Sequence, residues 1–195
     1  MNTKLNKQQL NKTILLIALL LGSKSHAFIN MKNASFTQTW KDESSNNNFK
    51  IKRTYSSRSL YNGKFGFGWC SNIESRLQFK PSGHIEFFEC DSGAKHIFTP
   101  TAAQQKRQLA TNKTLFFINS KLQEFITKNR NIYTLYRKNG TLIRFNQKGH
   151  ITFVLHPNGT FQKYSYHNDQ LIKVNNNDKE TLLLSYSSLG KITLI

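Results

Sequence analysis

The sequence has few acidic residues, few cysteines and no apolar run long enough to span a membrane. Only 10 of its 195 residues are Asp or Glu, against 28 Lys or Arg, and the formal net charge is +18. Two cysteines are too few for a disulfide-rich scaffold or a cysteine-rich zinc module. The length excludes a large multidomain enzyme, whereas 15 Phe and 7 Tyr supply core material that a disordered chain lacks.

The N-terminal segment is typical of a secretory signal peptide. Three lysines precede the apolar run Ile14–Leu21, and the small residues Ser25 and Ala27 stand at positions −3 and −1 before Phe28. As a helix the run is about 12 Å long, well short of the roughly 30 Å of hydrocarbon in a bilayer. We therefore predict that residues 1–27 form a signal peptide. The protein is expected to be secreted or periplasmic, with no stable transmembrane span.

Cys70 and Cys90 are a candidate disulfide. Disulfides persist in the oxidising compartments that secreted chains enter. In the loop-entropy model, closing the segment between the two cysteines stabilises the fold by about 3 kcal/mol. The alternative is two separate buried thiols, because a sequence does not give the distance between them.

The remaining chain predicts an all-β fold of consecutive antiparallel hairpins that form a twisted sheet. Residues 28–48 are polar and are interpreted as an exposed leader. From Phe49 onward, short segments of alternating polarity are separated by glycines every ten or so residues, as in all-β proteins. Residues 101–126 mix helical spacing with a strand-like stretch, and we interpret them as a polar loop flanked by strands.

Two Asn-Gly pairs, at 139–140 and 158–159, predict hairpins in the C-terminal third. Two-residue turns at these pairs would place aromatic and apolar side chains on one face: Tyr136 opposite Ile143, Thr134 opposite Phe145, Phe153 opposite Tyr164, and Ile151 opposite Tyr166. A weak internal period of 20 residues also relates Tyr166 to Tyr186, each followed by a polar turn and an apolar strand. Such a period is typical of stacked hairpin arrays.

Two stretches of the chain together carry a resemblance to a known family. The segment Arg53-x-Tyr55-x-Ser57 and the following Gly-x-Phe-Gly-x-Gly-Trp block, residues 63–69, resemble the domain that precedes the repeats in the Rhs/YD-repeat proteins. The hairpins from Tyr133 onward resemble the first repeats. The resemblance divides the chain into a leading domain, residues 49–130, and YD-like repeat hairpins, residues 131–195. The motif residues of the leading domain are Arg53, Tyr55, Gly63, Gly66, Gly68 and Trp69.

The resemblance implies a β-sheet spiral, the start of a YD-repeat shell. In many members the shell encloses a toxic C-terminal domain that is released by self-cleavage. We expect neither a closed shell nor a toxin domain in a chain of this length, and Tyr166 and Tyr186 lack the Asp that usually follows the repeat tyrosine. The resemblance therefore implies a secreted, non-enzymatic module, which is either a truncated leading segment of a toxin-enclosing shell or such a segment adapted as a small secreted protein. Its expected partners are other YD-repeat segments, added at an open sheet edge.

The glycine-rich block is predicted to be a tight structural cap. Its glycines permit backbone conformations that are closed to residues with a Cβ. Phe65, Phe67 and Trp69 alternate, so all three are expected on one side of a sheet. A phosphate-binding loop is the alternative, but neither a strand–loop–helix context nor a Gly-Lys-Ser/Thr sequence accompanies the block.

No catalytic residue, metal ligand or cofactor site is predicted. His84 and Glu86 share a strand face but supply only two metal ligands, and the zinc-deaminase pattern that begins with His-x-Glu lacks its paired cysteines. Glu86 and Glu89 point to opposite faces of a strand and make a poor acid/base pair. The histidines at 150, 156 and 167 lie near turns and are interpreted as surface residues without a neighbouring nucleophile.

Positive charge is the remaining functional signal. Between residues 92 and 168 there are twelve Lys or Arg and one acid, Glu124. The candidate anion-binding residues, interleaved with aromatics around the first hairpin, are Arg130, Arg137, Lys138, Arg144 and Lys148. They predict, as an alternative function, a cationic binder of nucleic acid, lipopolysaccharide or another carbohydrate. The competing interpretation is a soluble surface of biased composition.

Overall fold

The computed structural model describes residues 26–30, 34–43, 50–90, 92–101, 114–177 and 181–194. Within these ranges the chain is nearly all β, with one 3-10 turn at Asn72–Glu74 and no α-helix. The strands are β1 (His26–Asn30), β2 (Ser35–Glu43), β3 (Lys50–Ser56), β4 (Asn62–Gly63), β5 (Gly66–Phe67), β6 (Trp69–Ser71), β7 (Arg76–Phe79), β8 (Ile85–Glu89), β9 (Ala94–Pro100), β10 (Leu115–Asn119), β11 (Glu124–Asn129), β12 (Ile132–Tyr136), β13 (Leu142–Phe145), β14 (Ile151–Leu155), β15 (Phe161–His167), β16 (Gln170–Asn176), β17 (Thr181–Leu183), β18 (Ser185–Tyr186) and β19 (Ile192–Leu194). The predicted all-β fold class is confirmed.

The strands form one large sheet and three smaller units. Strands β7 to β17 make an 11-stranded sheet in strict chain order, and every neighbouring pair is antiparallel. A four-stranded sheet has the order β1-β2-β3-β6, while β4-β5 and β18-β19 are two-stranded hairpins. The predicted succession of hairpins is confirmed.

The interpretation of residues 28–48 as an exposed leader or loop is wrong in one respect, because the part that the structure describes forms paired strands. Strand β1 pairs with β2, and β2 pairs with β3 from Thr37 opposite Ser56 to Glu43 opposite Lys50. The segment that forms β2, Ser-Phe-Thr-Gln-Thr-Trp, is rich in Thr and aromatic residues, which fit a pleated surface. Its polarity was misleading because most of its side chains remain exposed or half-buried. Within residues 101–126, the strand-like stretch Leu115–Asn119 forms strand β10. Residues 102–113, which include most of the predicted polar loop, lie outside the described ranges.

The predicted hairpin registers are wrong by one residue at both Asn-Gly pairs. The structure pairs Leu135 with Ile143 and Tyr133 with Phe145, and it places Lys163 opposite Phe153. Both turns contain three residues instead of two. At the first, the Arg137 N–H donates to the Thr141 carbonyl at 2.9 Å, and the Gly140 N–H donates to the Arg137 carbonyl at 2.9 Å.

The same three-residue turn recurs along the chain. In each case the N–H of the residue before the turn donates to the carbonyl of the residue four positions later. The glycine three positions after that first residue donates its N–H to the first residue's carbonyl. These glycines have φ between +70° and +83°, the left-handed conformation that closes a type I turn with a bulge. They are Gly83, Gly140, Gly149, Gly159 and Gly190.

The large sheet curls until its first strand meets a later turn. The Leu77 N–H in β7 donates to the Gly149 carbonyl, between β13 and β14, at 2.9 Å. Arg76 and His150 form a β-bridge beside it. Ring contacts cross the interior between strands that are distant in the sheet order, and the Phe79 and Tyr133 centroids are 4.7 Å apart. The sheet therefore completes one turn at the β13–β14 connection and then continues beyond it.

The core lies inside this curl. Its most deeply buried side chains, each less than 2% exposed, include Phe87, Phe98, Ile126, Leu135 and Phe145. They come from five different strands, and the Phe87 and Phe145 rings meet edge to face at 5.9 Å. Burying large aromatic and aliphatic side chains is the main force that holds the curl closed.

Candidate functional site

The leading domain and the last hairpin meet around one carboxylate, Glu74. Its Oε1 accepts hydrogen bonds from the Lys64 N–H and, at 3.2 Å, from the Tyr61 hydroxyl. Its Oε2 accepts from the Ser71 N–H at 3.0 Å and the Ser71 hydroxyl at 2.7 Å. Ser71 and Glu74 form a capping box on the 3-10 turn. Both carboxylate oxygens are thus committed to holding the glycine-rich block in place.

Two glycines of the block are required by close approach. A Cβ on Gly63 would lie 2.4 Å from the Trp69 carbonyl oxygen, which real Cβ contacts do not permit. Gly68 has φ +78°, and a Cβ there would meet the Tyr55 ring at 2.6 Å. The block is therefore compact because side chains are absent where two backbone segments and a ring come together.

The prediction that Phe65, Phe67 and Trp69 share one side of a sheet is wrong. Phe67 is 62% exposed, whereas Phe65 packs against the core. The block does not form one continuous strand. It folds into the two-residue strands β4 and β5 and then enters β6, so the alternation is interrupted at each turn.

The remaining motif residues of the leading domain converge on Trp69. The Tyr55 ring lies 5.4 Å from the Trp69 ring, and the Arg53 guanidinium lies 5.8 Å from it. Arg53 also contacts the Phe65 ring at 5.1 Å and donates to Asp42 Oδ1 at 2.7 Å. Sequence reasoning grouped these residues, and the structure brings them together in one cluster that connects β3 with the glycine-rich block.

The last hairpin, β18–β19, docks on this block. The Ile192 N–H donates to the Lys64 carbonyl at 2.8 Å, and Lys191 Nζ donates to the Gly63 carbonyl at 2.8 Å. The Tyr186 hydroxyl donates to the Leu171 carbonyl at 2.6 Å. Contacts over more than 120 residues of chain therefore join the glycine-rich block to the hairpin β18–β19.

A small cleft lies at this junction. It is lined by Tyr61, Lys64, Ile73, Glu74, Ser75, Arg76, His150, Tyr166, Asp169, Leu171, Tyr186 and Ile192. Burial raises the pKa of Tyr61 to about 12, with a further contribution from the Glu74 charge. Burial also lowers the pKa of His150 below its ordinary value, although Asp169 opposes the shift. Near neutral pH the cleft therefore presents an uncharged imidazole and protonated phenols.

His150 departs from its interpretation as a surface residue. Its ring stacks on Tyr166 at a centroid distance of 5.2 Å, and its Nδ1 is buried without a hydrogen-bond partner among the described residues. The lining residues come from segments more than 70 positions apart, which a local pattern does not reveal. The Ser-x-x-Glu spacing of Ser71 and Glu74, which entered none of the predictions from sequence, is a local signal that could have identified Glu74.

A disulfide joins Cys70 at β6 to Cys90 after β8, with the Cα atoms 5.1 Å apart. It lies in a separate buried cluster with Phe88 and Tyr61. The Arg76 guanidinium contacts both rings, 4.2 Å from the Tyr61 centroid and 4.7 Å from the Phe88 centroid. The bond therefore fixes the four-stranded sheet to the large sheet, next to these aromatic and cation–π contacts.

Removing this bond is expected to destabilise the protein measurably. With a sequence separation of 20 residues, the loop-entropy model gives a loss of about 3 kcal/mol in the double variant Cys70→Ser/Cys90→Ser. Urea unfolding, followed by tryptophan fluorescence with and without dithiothreitol, measures it. Reductant should lower the midpoint of the native protein and leave that of the variant unchanged. Two free thiols in the unreduced native protein would contradict the bond.

The structure does not bring the five candidate anion-binding residues together. Arg130 and Lys138 are exposed at opposite ends of β12, and Arg144 is exposed on the outer face of the large sheet. Lys148 forms an ion pair with Asp169, with a nitrogen–oxygen distance of 2.6 Å. Arg137 points into the curl. The five residues therefore do not form a single cationic surface.

Arg137 instead belongs to an interior ion-pair cluster. Its Nε lies 3.0 Å from Glu124 Oε1, and its Nη1 contacts Glu89. Glu124 is only 6% exposed. Burial alone would raise the pKa of Glu89, but hydrogen bonds from Ser92 and Arg137 outweigh it and hold that pKa below its ordinary value. The cluster ties the end of β8 to β11 and to the end of β12.

The candidate metal and acid/base residues have ordinary local partners. His84 Nδ1 lies 2.6 Å from the Ser82 hydroxyl, and Glu86 pairs with Lys80 at 2.9 Å. Among the described residues, no three His, Cys, Asp or Glu side chains lie close enough together to hold a metal ion. Within the same part of the chain, no helix has the length and apolar character needed to cross a membrane.

Residues 32–98 match the family model described as a domain of unknown function (DUF6531). The matched range extends from β2 to β9 and contains the disulfide, Glu74 and all the motif residues of the leading domain. No curated protein matches the chain. The segment that carries the glycine-rich junction is therefore similar to a domain that occurs in other proteins.

Proposed function

We propose that the protein is a secreted, non-enzymatic β-scaffold that begins a spiral of hairpins, in the manner of the leading segment of an Rhs/YD-repeat shell. The observation that carries this proposal is the hydrogen bond from Leu77 to Gly149, where the sheet meets its own first strand. In a closed ring the strands would end there. Here β14 to β17 continue the sheet beyond that contact, which is the geometry of a spiral.

The junction at Glu74 supports the same function. The glycine-rich block receives the last hairpin through Lys64 and Gly63, so the leading domain acts as a base on which the repeats rest. Glu74 is the acid at the centre of the junction, and its oxygens already accept four hydrogen bonds. A carboxylate held in this way positions a backbone and is poorly placed to exchange protons with a substrate.

Secretion is part of the proposal and is compatible with the fold. Cleavage before Phe28 would remove the first two residues of β1. The pairs Phe28–Thr37, Ile29–Phe36 and Asn30–Ser35 would remain. The proposed partner is a further β-strand segment, added beside β17, which is the last strand of the large sheet and exposes 63% of Leu183.

Splitting the chain tests whether the leading domain organises the repeats. Residues 1–130 and 131–195 would be co-expressed as two differently tagged chains, since the cut falls in the exposed turn at Arg130. We expect the two to copurify, and we expect amide hydrogen exchange in β13 to be slow only when both are present. The intact mass of the exported leading fragment reports whether it begins at Phe28.

A Gly149→Ala change in the second fragment serves as the control, because it blocks the contact with Leu77 and should weaken copurification. The proposal fails if residues 131–195 protect β13 equally well alone. It also fails if the fragments do not associate.

A further inference from the structure

The outer face of the large sheet carries a continuous row of apolar side chains. One residue from each of six consecutive strands contributes, and each is the direct cross-strand neighbour of the next. The row, called here the outer apolar row, consists of Ile118, Phe125, Tyr136, Leu142, Leu155 and Phe161. Their chain neighbours Phe117, Ile126, Leu135 and Ile143 are buried inside the curl, which places the row on the opposite face.

Three members of the row are exposed to solvent, and the other three are half-buried. Ile118 is 42% exposed, and Phe125 and Tyr136 are each 37% exposed. The Phe125 and Tyr136 rings stack at 4.6 Å with an interplanar angle of 13°. Contiguous apolar side chains on a soluble surface commonly mark an interaction site.

Two cations lie beside the row. Arg144 and Lys163 each follow a row residue by two positions on the same strand, which places them about 7 Å farther along the strand on the same face. Their charged groups lie over aromatic rings, Arg144 at 5.3 Å from the Phe153 centroid and Lys163 at 5.5 Å from the Phe161 centroid. Within β10 to β15 the one acidic residue is Glu124, which points inward to Arg137.

We infer that this face binds the surface of an anionic lipid bilayer. Acyl chains would cover the outer apolar row. Arg144 and Lys163 would contact the negatively charged headgroups, which lie next to the acyl region of the bilayer. A nucleic acid would use the cations but leave Ile118, Leu142 and Leu155 in water. A second copy of this face would cover the row but would offer no acidic side chain from β10 to β15 to pair with Arg144 and Lys163, since Glu124 is paired with Arg137. Charge and apolar character together therefore favour an anionic membrane surface.

Vesicle binding by the exported full chain tests this inference. The protein would be sedimented with phosphatidylcholine vesicles that do or do not contain phosphatidylglycerol. We expect binding only to the anionic vesicles. The double variant Phe125→Ser/Tyr136→Ser should bind them roughly tenfold more weakly or worse, because two partly exposed rings no longer enter the lipid. The matched control is Phe67→Ser, which removes a 62% exposed ring outside the row and should bind normally.

Charge reversal tests whether binding depends on Arg144 and Lys163 or only on the net charge of the protein. Arg144→Glu/Lys163→Glu should weaken binding to anionic vesicles by at least about 25-fold, given roughly a fivefold contribution from each cation near the surface. Arg130→Glu/Lys138→Glu makes the same charge change at exposed turns and should have a much smaller effect. Circular dichroism confirms that each variant folds.

Three results would overturn the inference. One is equal loss of binding in the two charge-reversed variants. Another is binding to DNA and heparin that matches vesicle binding and is unaffected by Phe125→Ser/Tyr136→Ser. The third is a dimer in analytical ultracentrifugation that the serine variants dissociate, without vesicle binding. None of these bears on fragment complementation, so the scaffold function and the lipid surface fail independently.

Discussion

Gly149→Ala should destabilise the protein far more than Gly159→Ala. Both glycines occupy the same position of the same turn with φ +83°, so both variants incur about 1–2 kcal/mol of left-handed strain. A Cβ on Gly159 meets nothing within 4 Å, whereas a Cβ on Gly149 would lie 2.2 Å from the Leu77 carbonyl oxygen. That overlap is with backbone, so it is relieved only by moving β7 away.

The additional loss in Gly149→Ala is expected to be about 3 kcal/mol. The Leu77 to Gly149 hydrogen bond contributes about 1 kcal/mol. Leu77 is 2% exposed in the native protein, and its partial exposure in the variant accounts for the remainder. Urea unfolding of the two variants measures the difference, and hydrogen exchange should show β7 opening first in Gly149→Ala. Equal unfolding free energies would mean that the curl does not depend on this contact.

The sequence predicted the strands and the turn positions but not the number of residues in each turn. The Asn-Gly pairs favoured two-residue turns, and the third residue shifts the register by one. For β12 the polarity of the sequence does not show which register is correct, because both faces of the strand are apolar. Tyr133 and Leu135 point inward, and Ile132 and Tyr136 point outward. A strand that satisfies two registers equally well is placed by its turn geometry and its distant neighbours.

The same shift explains why Arg137 does not lie on the solvent-facing side with the other candidate anion-binding residues. With a two-residue turn, Arg137 would lie opposite Leu142 on a mixed, solvent-facing side. In the structure it shares the inward side with Leu135 and meets Glu89, which is 48 positions earlier in the chain. The junction around Glu74 was likewise beyond local patterns, except for its capping box, because its contacts depend on how far the sheet curls before the last hairpin returns.

Arg137→Met is the second substitution with a large expected effect. The change removes a cation and leaves two carboxylates facing each other inside the curl, one of them on Glu124, which is 6% exposed. Removing one partner of a buried ion pair costs about 3–5 kcal/mol, since the remaining charge is desolvated without compensation. Arg144→Met is the matched control: the same change on an exposed residue should alter the unfolding free energy by less than about 0.5 kcal/mol.

The triple variant Arg137→Met/Glu89→Gln/Glu124→Gln separates uncompensated charge from lost packing. Without the two carboxylates, most of the stability lost in Arg137→Met should return, because an ion-pair network replaced by neutral groups is often close to neutral in stability. If the triple variant is as unstable as Arg137→Met, the guanidinium stabilises the fold through its contact with the Phe87 ring instead, 5.8 Å away.

The pH dependence gives an independent measurement of the same cluster. In the native protein the pKa of Glu89 lies below its unfolded value, so its contribution is present above the unfolded pKa and is lost as the pH falls through the folded one. In Arg137→Met, burial acts with less opposition and the pKa of Glu89 should rise, so protonation of Glu89 costs the folded state less than it does in the native protein. The difference in unfolding free energy between the two proteins should therefore shrink from pH 7 towards pH 4. A difference independent of pH would place the contribution of Arg137 in packing and not in charge.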